Sequence, residues 1–290
     1  MGRPRRGVAT VGLLIGTLIG PWGCATNSHR IPPLSEQVRA NIGTLGVTTS
    51  SIVPTFDLKA PTGGKGSGAA KGAGQAALAM ASTGGGRDPW AALVVLGLTP
   101  IAAVGGAIYG AVVAPSAGKV KASETALTSA FGDLKIREAI HDHVLGAAGG
   151  RVGHHVASLG EAPDADTILE VGVPSVRLAS TATLEIDPPV HLVVIACPRL
   201  VRRADGLQLY PPETTTTAVV HMSAPRKFLE WGGDAARLFR DEMERAYQSL
   251  ADGVVDQMLM GGHPPGRRWP FLFGDPARRL TCPRAGIERK

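Results

Sequence analysis

The sequence predicts an α+β domain in which amphipathic helices cover an antiparallel sheet of about four strands. Three observations support this fold class. Strand-like runs are concentrated between residues 167 and 222, helical periodicity flanks them on both sides, and a Gly-containing turn at Ala204–Asp205–Gly206 joins two of the runs. A half-buried sheet needs a cover, so we expect both helical segments on one face of it.

Four runs predict the strands. "TILEVGV" alternates, with Leu169, Val171 and Val173 on one side. "VHLVVIACPRLV" is apolar on both faces at its centre, as expected for a central strand. "LVRRADGLQLY" has the composition of a β-hairpin, and "TTTTAVVHM" supplies a further β-rich run. The sequence therefore predicts an antiparallel arrangement of at least four strands.

Two segments predict helices. Residues 123–147 carry an apolar stripe from Leu127 to Val144 that shifts face near Gly132, with Ser123 as N-cap. A longer helix follows the sheet, with Asp234 as N-cap. Glycines and prolines after residue 260 end it. Its apolar positions recur with the 3.6-residue period at Phe239, Met243, Ala246, Tyr247, Leu250, Val254 and Met258.

The N-terminus has the parts of a secretory signal. Three arginines precede an uncharged apolar run, Val8 to Gly20, which is short for a bilayer-spanning helix of about 20 apolar residues. Small residues lead to Gly23–Cys24. On these residues the chain resembles a bacterial lipoprotein precursor, in which the lipobox cysteine is acylated, for example with palmitate. Pro21 stands where the family prefers leucine. The alternatives are a non-lipidated signal and an uncleaved anchor with an incidental cysteine.

The resemblance implies a location. It makes Cys24 the lipidated residue that binds the protein to a membrane. Ala25 follows it, where the family uses aspartate to retain proteins at the inner membrane. The resemblance therefore implies an outer-membrane lipoprotein that faces the periplasm. The layout of anchor, tether and α/β domain is also similar to that of auxiliary lipoproteins of transport and assembly systems.

An uncharged segment from Trp90 to Pro115 is the most unusual internal feature. Its length could cross a hydrocarbon core, although Pro100 would kink a helix. Gly106 and Gly110 form a GxxxG pair, which lets another helix approach closely. We expect a close-packing helix or helical hairpin here, and membrane contact and an oligomerisation helix remain the alternatives.

These features divide the chain into five predicted parts. They are a signal peptide (1–23), a lipid-anchored flexible tether with a Gly/Ala-rich part (24–88), an apolar Gly/Ala helix or hairpin (89–118), a periplasmic α+β domain (119–265) and a basic tail (266–290). The GxG patterns in the tether lack the flanking strand and helix of a nucleotide-binding loop.

Charge and composition argue against nucleic acid as a partner. Removing residues 1–23 takes away three arginines and no acids, so the formal charge falls from +6 to +3. Half of the basic excess therefore belongs to the targeting signal. Aromatic residues make up only 4% of the chain, which leaves little for base stacking.

Few residues suggest chemistry. His141 and His143 would lie about 200° apart on a helix and could not chelate together, so we predict no metal site. No nucleophile motif is present, so no catalytic residue and no cofactor are predicted. Lipidation of Cys24 would leave Cys197 and Cys282 as a pair that an oxidising periplasm allows to form a disulfide, and two free thiols are the alternative.

The sequence therefore favours a non-enzymatic envelope lipoprotein, a structural or accessory subunit that binds another envelope protein or its own copies. The N-terminal lipid would attach this subunit to the membrane. A periplasmic module that carries lipid or another apolar ligand between sheet and helices is the alternative. An envelope hydrolase ranks third.

Overall fold

The computed structural model describes residues 34–58, 69–76, 79, 103–104, 107–112, 114–151, 155–180, 185–212, 217–261 and 282, which all belong to the unit Ile31–Lys290. Among these residues the helices with defined bounds are α1 (Glu36–Ala40), α2 (Ala117–Asp133), α3 (Ile136–Arg151) and α4 (Phe228–Met258). Residues 69–76, 79, 103–104 and 107–112 are helical as well. Seven strands are β1 (Leu45–Thr49), β2 (Thr55–Leu58), β3 (Val156–Ser158), β4 (Thr167–Ser180), β5 (Val190–Arg202), β6 (Gln208–Tyr210) and β7 (Val219–Met222).

Long strands β4 and β5 form the antiparallel centre of one mixed sheet. On the free side of β4, strands β1 and β2 run parallel to it, and β3 runs parallel to β1. On the free side of β5, strands β6 and β7 pair antiparallel with it. The α+β class is therefore correct. The four predicted runs are β4 to β7, which pair antiparallel as predicted. The whole sheet differs from the predicted antiparallel sheet of about four strands, because it has seven strands and three of its strand pairings are parallel.

A β-bulge between Gly172 and Ser175 sets which side chains of β4 face the helices. Before the bulge, Leu169, Val171 and Val173 are buried. Beyond it the buried set changes parity to Val176 and Leu178. One extra residue on a strand flips the alternation, so the bulge keeps both sets on the same face.

The predicted tether over residues 24–88 does not hold for residues 34–58. This stretch contains α1 and strands β1 and β2, and Leu45 and Val47 are buried in the core. The domain therefore begins well before residue 119. The two strands have only 5 and 4 residues, too few to produce a clear alternation in a polar stretch.

The helix predicted over 123–147 is two helices that meet at Leu134 and Lys135. The N-cap of α2 is Ser116, whose side chain accepts a hydrogen bond from the N–H of Lys119. Ser123 is therefore not a cap, and it is buried in the middle of α2. The change of apolar face near Gly132 is the sequence sign of this break.

Helix α4 begins at Phe228, earlier than predicted. Asp234 is not its N-cap: Asp234, Ala235 and Ala236 have φ of +47°, +53° and +62° and form a left-handed kink inside the helix. The predicted apolar positions of α4 are all buried, and they pack with α2, α3 and the sheet into one hydrophobic core. The helices therefore cover one sheet face as expected.

Candidate functional site

An exposed apolar surface precedes α2. Residues 103–104 and 107–112 are helical, and four large side chains there are exposed: Val104 (61%), Ile108 (63%), Tyr109 (64%) and Val112 (78%). We call these four residues the exposed stripe. Ile108 and Val112 are four positions apart in the helical residues 107–112, so they lie on one side of the helix. Together with exposed Val104 we call them the aliphatic row. The segment predicted to be an apolar helix thus presents apolar side chains to solvent.

The small residues of this segment point the other way. Gly110 is buried, as is Ala114, whose N–H donates to the carbonyl oxygen of Gly110 at 3.0 Å. Gly106 lies outside the described residues. Gly110 is two positions from Ile108, so the two residues lie on nearly opposite sides of the helix. The surface open to a partner is therefore the aliphatic row.

Residues 90–102, the first half of the uncharged segment, lie outside the described residues. No helix in the described parts of the chain combines the length and the apolar character that a bilayer span requires.

The structure describes two of the three cysteines. Cys24, the predicted lipidation site, lies outside the described residues. Cys197 of β5 and Cys282 are joined by a disulfide with a Cα–Cα distance of 5.7 Å. The Sγ of Cys282 lies 3.2 Å from the carbonyl oxygen of buried Thr217. The bond links the sheet to a position beyond α4.

The face of β5 that carries Cys197 points away from the helices. Ile195 and Val193, two and four positions earlier, share this face and are buried, although they do not belong to the core beneath the helices. The cross-strand pair of Arg199 and Glu170 also lies there, with Nη2 to Oε2 at 2.7 Å. This face combines apolar and ionic contacts.

The histidines of α3 make separate contacts. His143 Nε2 lies 2.8 Å from Glu244 Oε1 of α4. His141 Nδ1 lies 2.9 Å from Asp142 Oδ1, and its Nε2 lies 3.3 Å from the hydroxyl of Ser158. They do not converge. In the described parts of the chain, no group of three or more His, Cys, Asp or Glu side chains is placed to hold a metal ion.

Ser158, His141 and Asp142 nevertheless line up in the order of a hydrolytic triad. The sequence shows no sign of this alignment, because β3 and α3 bring Ser158 and His141 together across 17 positions. A triad carboxylate is normally buried behind its histidine, whereas the side chain of Asp142 is 77% exposed. The alignment therefore has the donors and acceptors of a triad without the burial of its acid.

The predicted hairpin contains a two-pronged charge contact between Arg202 and Asp205. Arg202 donates to Asp205 from Nε at 3.0 Å and from Nη2 at 2.6 Å, and the N–H of Leu207 donates to the same carboxylate. These hydrogen bonds, those from Arg202 first, lower the pKa of Asp205 to about 2. Gly206 supplies the positive φ of +70° that the turn requires. The charges of Arg202 and Asp205 therefore compensate each other within the hairpin.

A second polar cluster lies between β7 and α4. His221 Nε2 lies 3.2 Å from Glu242 Oε1, and Arg245 donates to the other carboxylate oxygen at 2.6 Å. The side chains of His221 and Glu242 are only 13% and 12% exposed. The cluster joins strand to helix, and its groups are mutually satisfied.

No model of a known protein family matches this sequence, and no protein of curated function does. Solved structures show weak likeness. A candidate lipoprotein from Caulobacter crescentus CB15 is 19% identical with a TM-score of 0.26, over 44% of this chain and 81% of its own. The PelC dodecamer from Paraburkholderia phytofirmans is 14% identical with a TM-score of 0.22, over 42% and 74%. At these scores neither likeness decides the fold or the function.

Proposed function

We propose that this chain is a non-enzymatic cell-envelope lipoprotein that serves as an accessory subunit. A lipid on Cys24 would hold it at the outer membrane facing the periplasm, and its domain would bind another envelope protein or another copy of itself. The observation that carries the proposal is the exposed stripe. The signal-like N-terminus ending in Gly23–Cys24 supports the location.

The exposed stripe supports protein binding for an energetic reason. Burying one large aliphatic side chain contributes about 1.5–3 kcal/mol, so leaving a row of three in water is unfavourable. The row would gain this energy in a complex. An uncharged helix with large side chains outside and small ones inside fits a docking element better than a solvated linker.

An apolar-ligand module has less support. The residues between sheet and helices form one closely packed cluster, and Leu169, Phe239 and Leu250 within it are fully buried. A ligand held between sheet and helices would need space there.

A hydrolase is a second candidate because of the alignment of Ser158, His141 and Asp142. An activated serine would react covalently with a fluorophosphonate probe. The probe should label Ser158 in the wild type and not in His141→Ala if this function is real. Equal, background labelling of both proteins would exclude it.

Two measurements test the proposed function. The first is the intact mass of the mature protein from membranes, compared with Cys24→Ala. We expect cleavage before Cys24 and added acyl chains in the wild type only. An unacylated wild type that stays in membranes would contradict the lipid anchor.

The second measurement is photo-crosslinking in cells with a photoreactive residue at position 108. Position 53 is the matched control, because Val53 is also a strongly exposed aliphatic residue (76%) but lies outside the stripe. We expect a protein adduct at 108 and none at 53. Equal adducts at both positions, or none at either, would contradict binding through the stripe.

A further inference from the structure

A groove runs between α3 and α4 on the surface of the domain. It encloses about 490 Å³. Its floor consists of small residues, Gly146 and Ala147 of α3 and Ala251 of α4. Its rim is polar and includes Asp142, His143 and Asp252, whose carboxylate is paired with Arg151 at 2.7 Å. The bond between His143 and Glu244 ties the two helices together at the rim.

The glycines of α3 are not needed for packing inside the chain. A Cβ built at Gly146, Gly149 or Gly150 would meet no atom within 4 Å. Glycine in a helix interior destabilises the helix relative to alanine. At these positions no close contact within the chain requires glycine. A close approach by an element from outside the chain would account for the bare backbone at Gly146, the one of these three glycines that lines the groove.

The exposed stripe has the complementary shape and chemistry. It offers a row of branched aliphatic side chains, where the groove offers a floor without large side chains. Helices pack by placing such ridges into such grooves. The charges also complement each other: exposed Lys119 and Lys121 follow the stripe in α2, and the side chain of Asp142 at the groove rim is 77% exposed.

We infer that the exposed stripe of one copy docks in the α3–α4 groove of a second copy of this chain. The inference rests on the proposed function and names its partner. Stripe and groove are different surfaces. Each copy would therefore insert its stripe into the groove of one neighbour and accept the stripe of another neighbour in its own groove. Such a head-to-tail contact forms a ring where the rotation closes and a filament where it does not.

The test uses the full chain with two single variants. Ile108→Ser removes a stripe side chain that is already in water, and Gly146→Leu fills the groove. Gly132→Leu is the matched control, since Gly132 is also a helical glycine with open space around it but lies outside the groove. Circular dichroism checks that each variant is folded.

Sedimentation velocity over a concentration series gives the association. We expect Ile108→Ser and Gly146→Leu each to raise the dissociation constant at least tenfold, and Gly132→Leu to leave it unchanged. An equimolar mixture of the two weakened variants should form one-to-one dimers that grow no further. Each pair then keeps one intact stripe and one intact groove.

Three outcomes would overturn the inference. A wild-type protein that stays monomeric would contradict self-association. If the stripe then crosslinks to a different envelope protein, the proposed function is still supported. Loss of association in Ile108→Ser alone would indicate a stripe-to-stripe contact. Binding of wild type and Gly146→Leu, but not Ile108→Ser, to phosphatidylethanolamine–phosphatidylglycerol vesicles would assign the stripe to the membrane surface.

Discussion

Gly232 of α4 lies directly against Ser123 of α2. A Cβ at position 232 would come within 2.4 Å of the Ser123 Cβ and 2.6 Å of its Cα. Part of the obstacle is therefore backbone, which cannot rotate away. This close approach lets the first turn of α4 lie against α2. Trp231, the preceding residue, is buried and donates from Nε1 to the carbonyl oxygen of Val190.

Gly232→Ala should therefore destabilise the domain. Adding one methyl group at a closed contact forces the two helices apart, which typically costs about 1–3 kcal/mol. Gly233→Ala is the control, because a Cβ there meets no atom within 4 Å and its φ of −66° suits alanine. Urea unfolding of both variants measures the difference. Equal stability of the two would show that α2 and α4 do not meet at this contact.

The left-handed kink predicts an unusual response to glycine. Alanine in this conformation costs about 1–2 kcal/mol, and Ala235 adopts it with φ of +53° while exposed. Ala235→Gly relieves that cost and adds about 0.5–1 kcal/mol of unfolded-state entropy. We expect a net rise in the free energy of unfolding of about 0.5–1 kcal/mol.

Ala122→Gly should change the free energy of unfolding in the opposite direction. Ala122 is an exposed residue in the middle of α2, where glycine lowers the free energy of unfolding by about 1 kcal/mol. Denaturant unfolding of the two variants should thus move the midpoint in opposite directions. A loss of stability in both would mean that α4 runs through residues 234–236 as a regular helix.

The elements that sequence could predict are those with a local signature. The core face of α4 repeats over six turns, from Phe239 to Met258, and the hairpin at Asp205–Gly206 has its own turn residues. Strands β1 and β2 have no such signature, because they are short and their pairing with β4 depends on contacts more than 100 positions away. Parallel pairing leaves no mark in a four-residue segment.

The place of the candidate site could be predicted from the sequence. The absence of charge between Trp90 and Pro115 identified the segment. The GxxxG spacing suggested the glycine side as its contact surface, whereas Gly110 is buried and Ile108 is exposed. A periodic pattern defines the two sides of a helix, and only the neighbours of the helix decide which side is covered.

Tyr247 carries a hydroxyl that gains nothing from its burial. Its side chain is 2% exposed, and the oxygen has no hydrogen-bond partner in the described structure. Burying an unpaired hydroxyl costs about 1–3 kcal/mol. Tyr247→Phe should therefore raise the free energy of unfolding by about 1 kcal/mol, measured by urea unfolding at pH 7. A loss of more than about 1 kcal/mol would reveal a bond to this hydroxyl.

The same residue predicts a response to alkaline pH. Burial, reinforced by the charge of Glu244, raises the pKa of Tyr247 above that of an unfolded tyrosine, about 10. Below pH 10 the group is protonated in both states and has no effect. Above it the unfolded chain loses its proton first, so stability falls as pH rises. Above pH 10 the free energy of unfolding of Tyr247→Phe should fall less steeply with pH than that of the wild type. Equal slopes for the two proteins would contradict a raised pKa of Tyr247.

The disulfide between Cys197 and Cys282 closes a loop of 85 residues. Constraining a loop of this length in the unfolded chain contributes about 4 kcal/mol. Cys282→Ser should therefore lower the free energy of unfolding by about that amount under oxidising conditions.

Three comparisons isolate the covalent bond from the loss of one side chain. Cys197→Ala should cost about as much as Cys282→Ser, and the double variant should lose no more than either single variant, because both remove the same bond. Adding a reductant should bring the wild type to the level of the variants and leave the variants unchanged. Two free thiols titrating in the oxidised, unfolded wild type, with stability equal to that of Cys282→Ser, would show that the bond does not form.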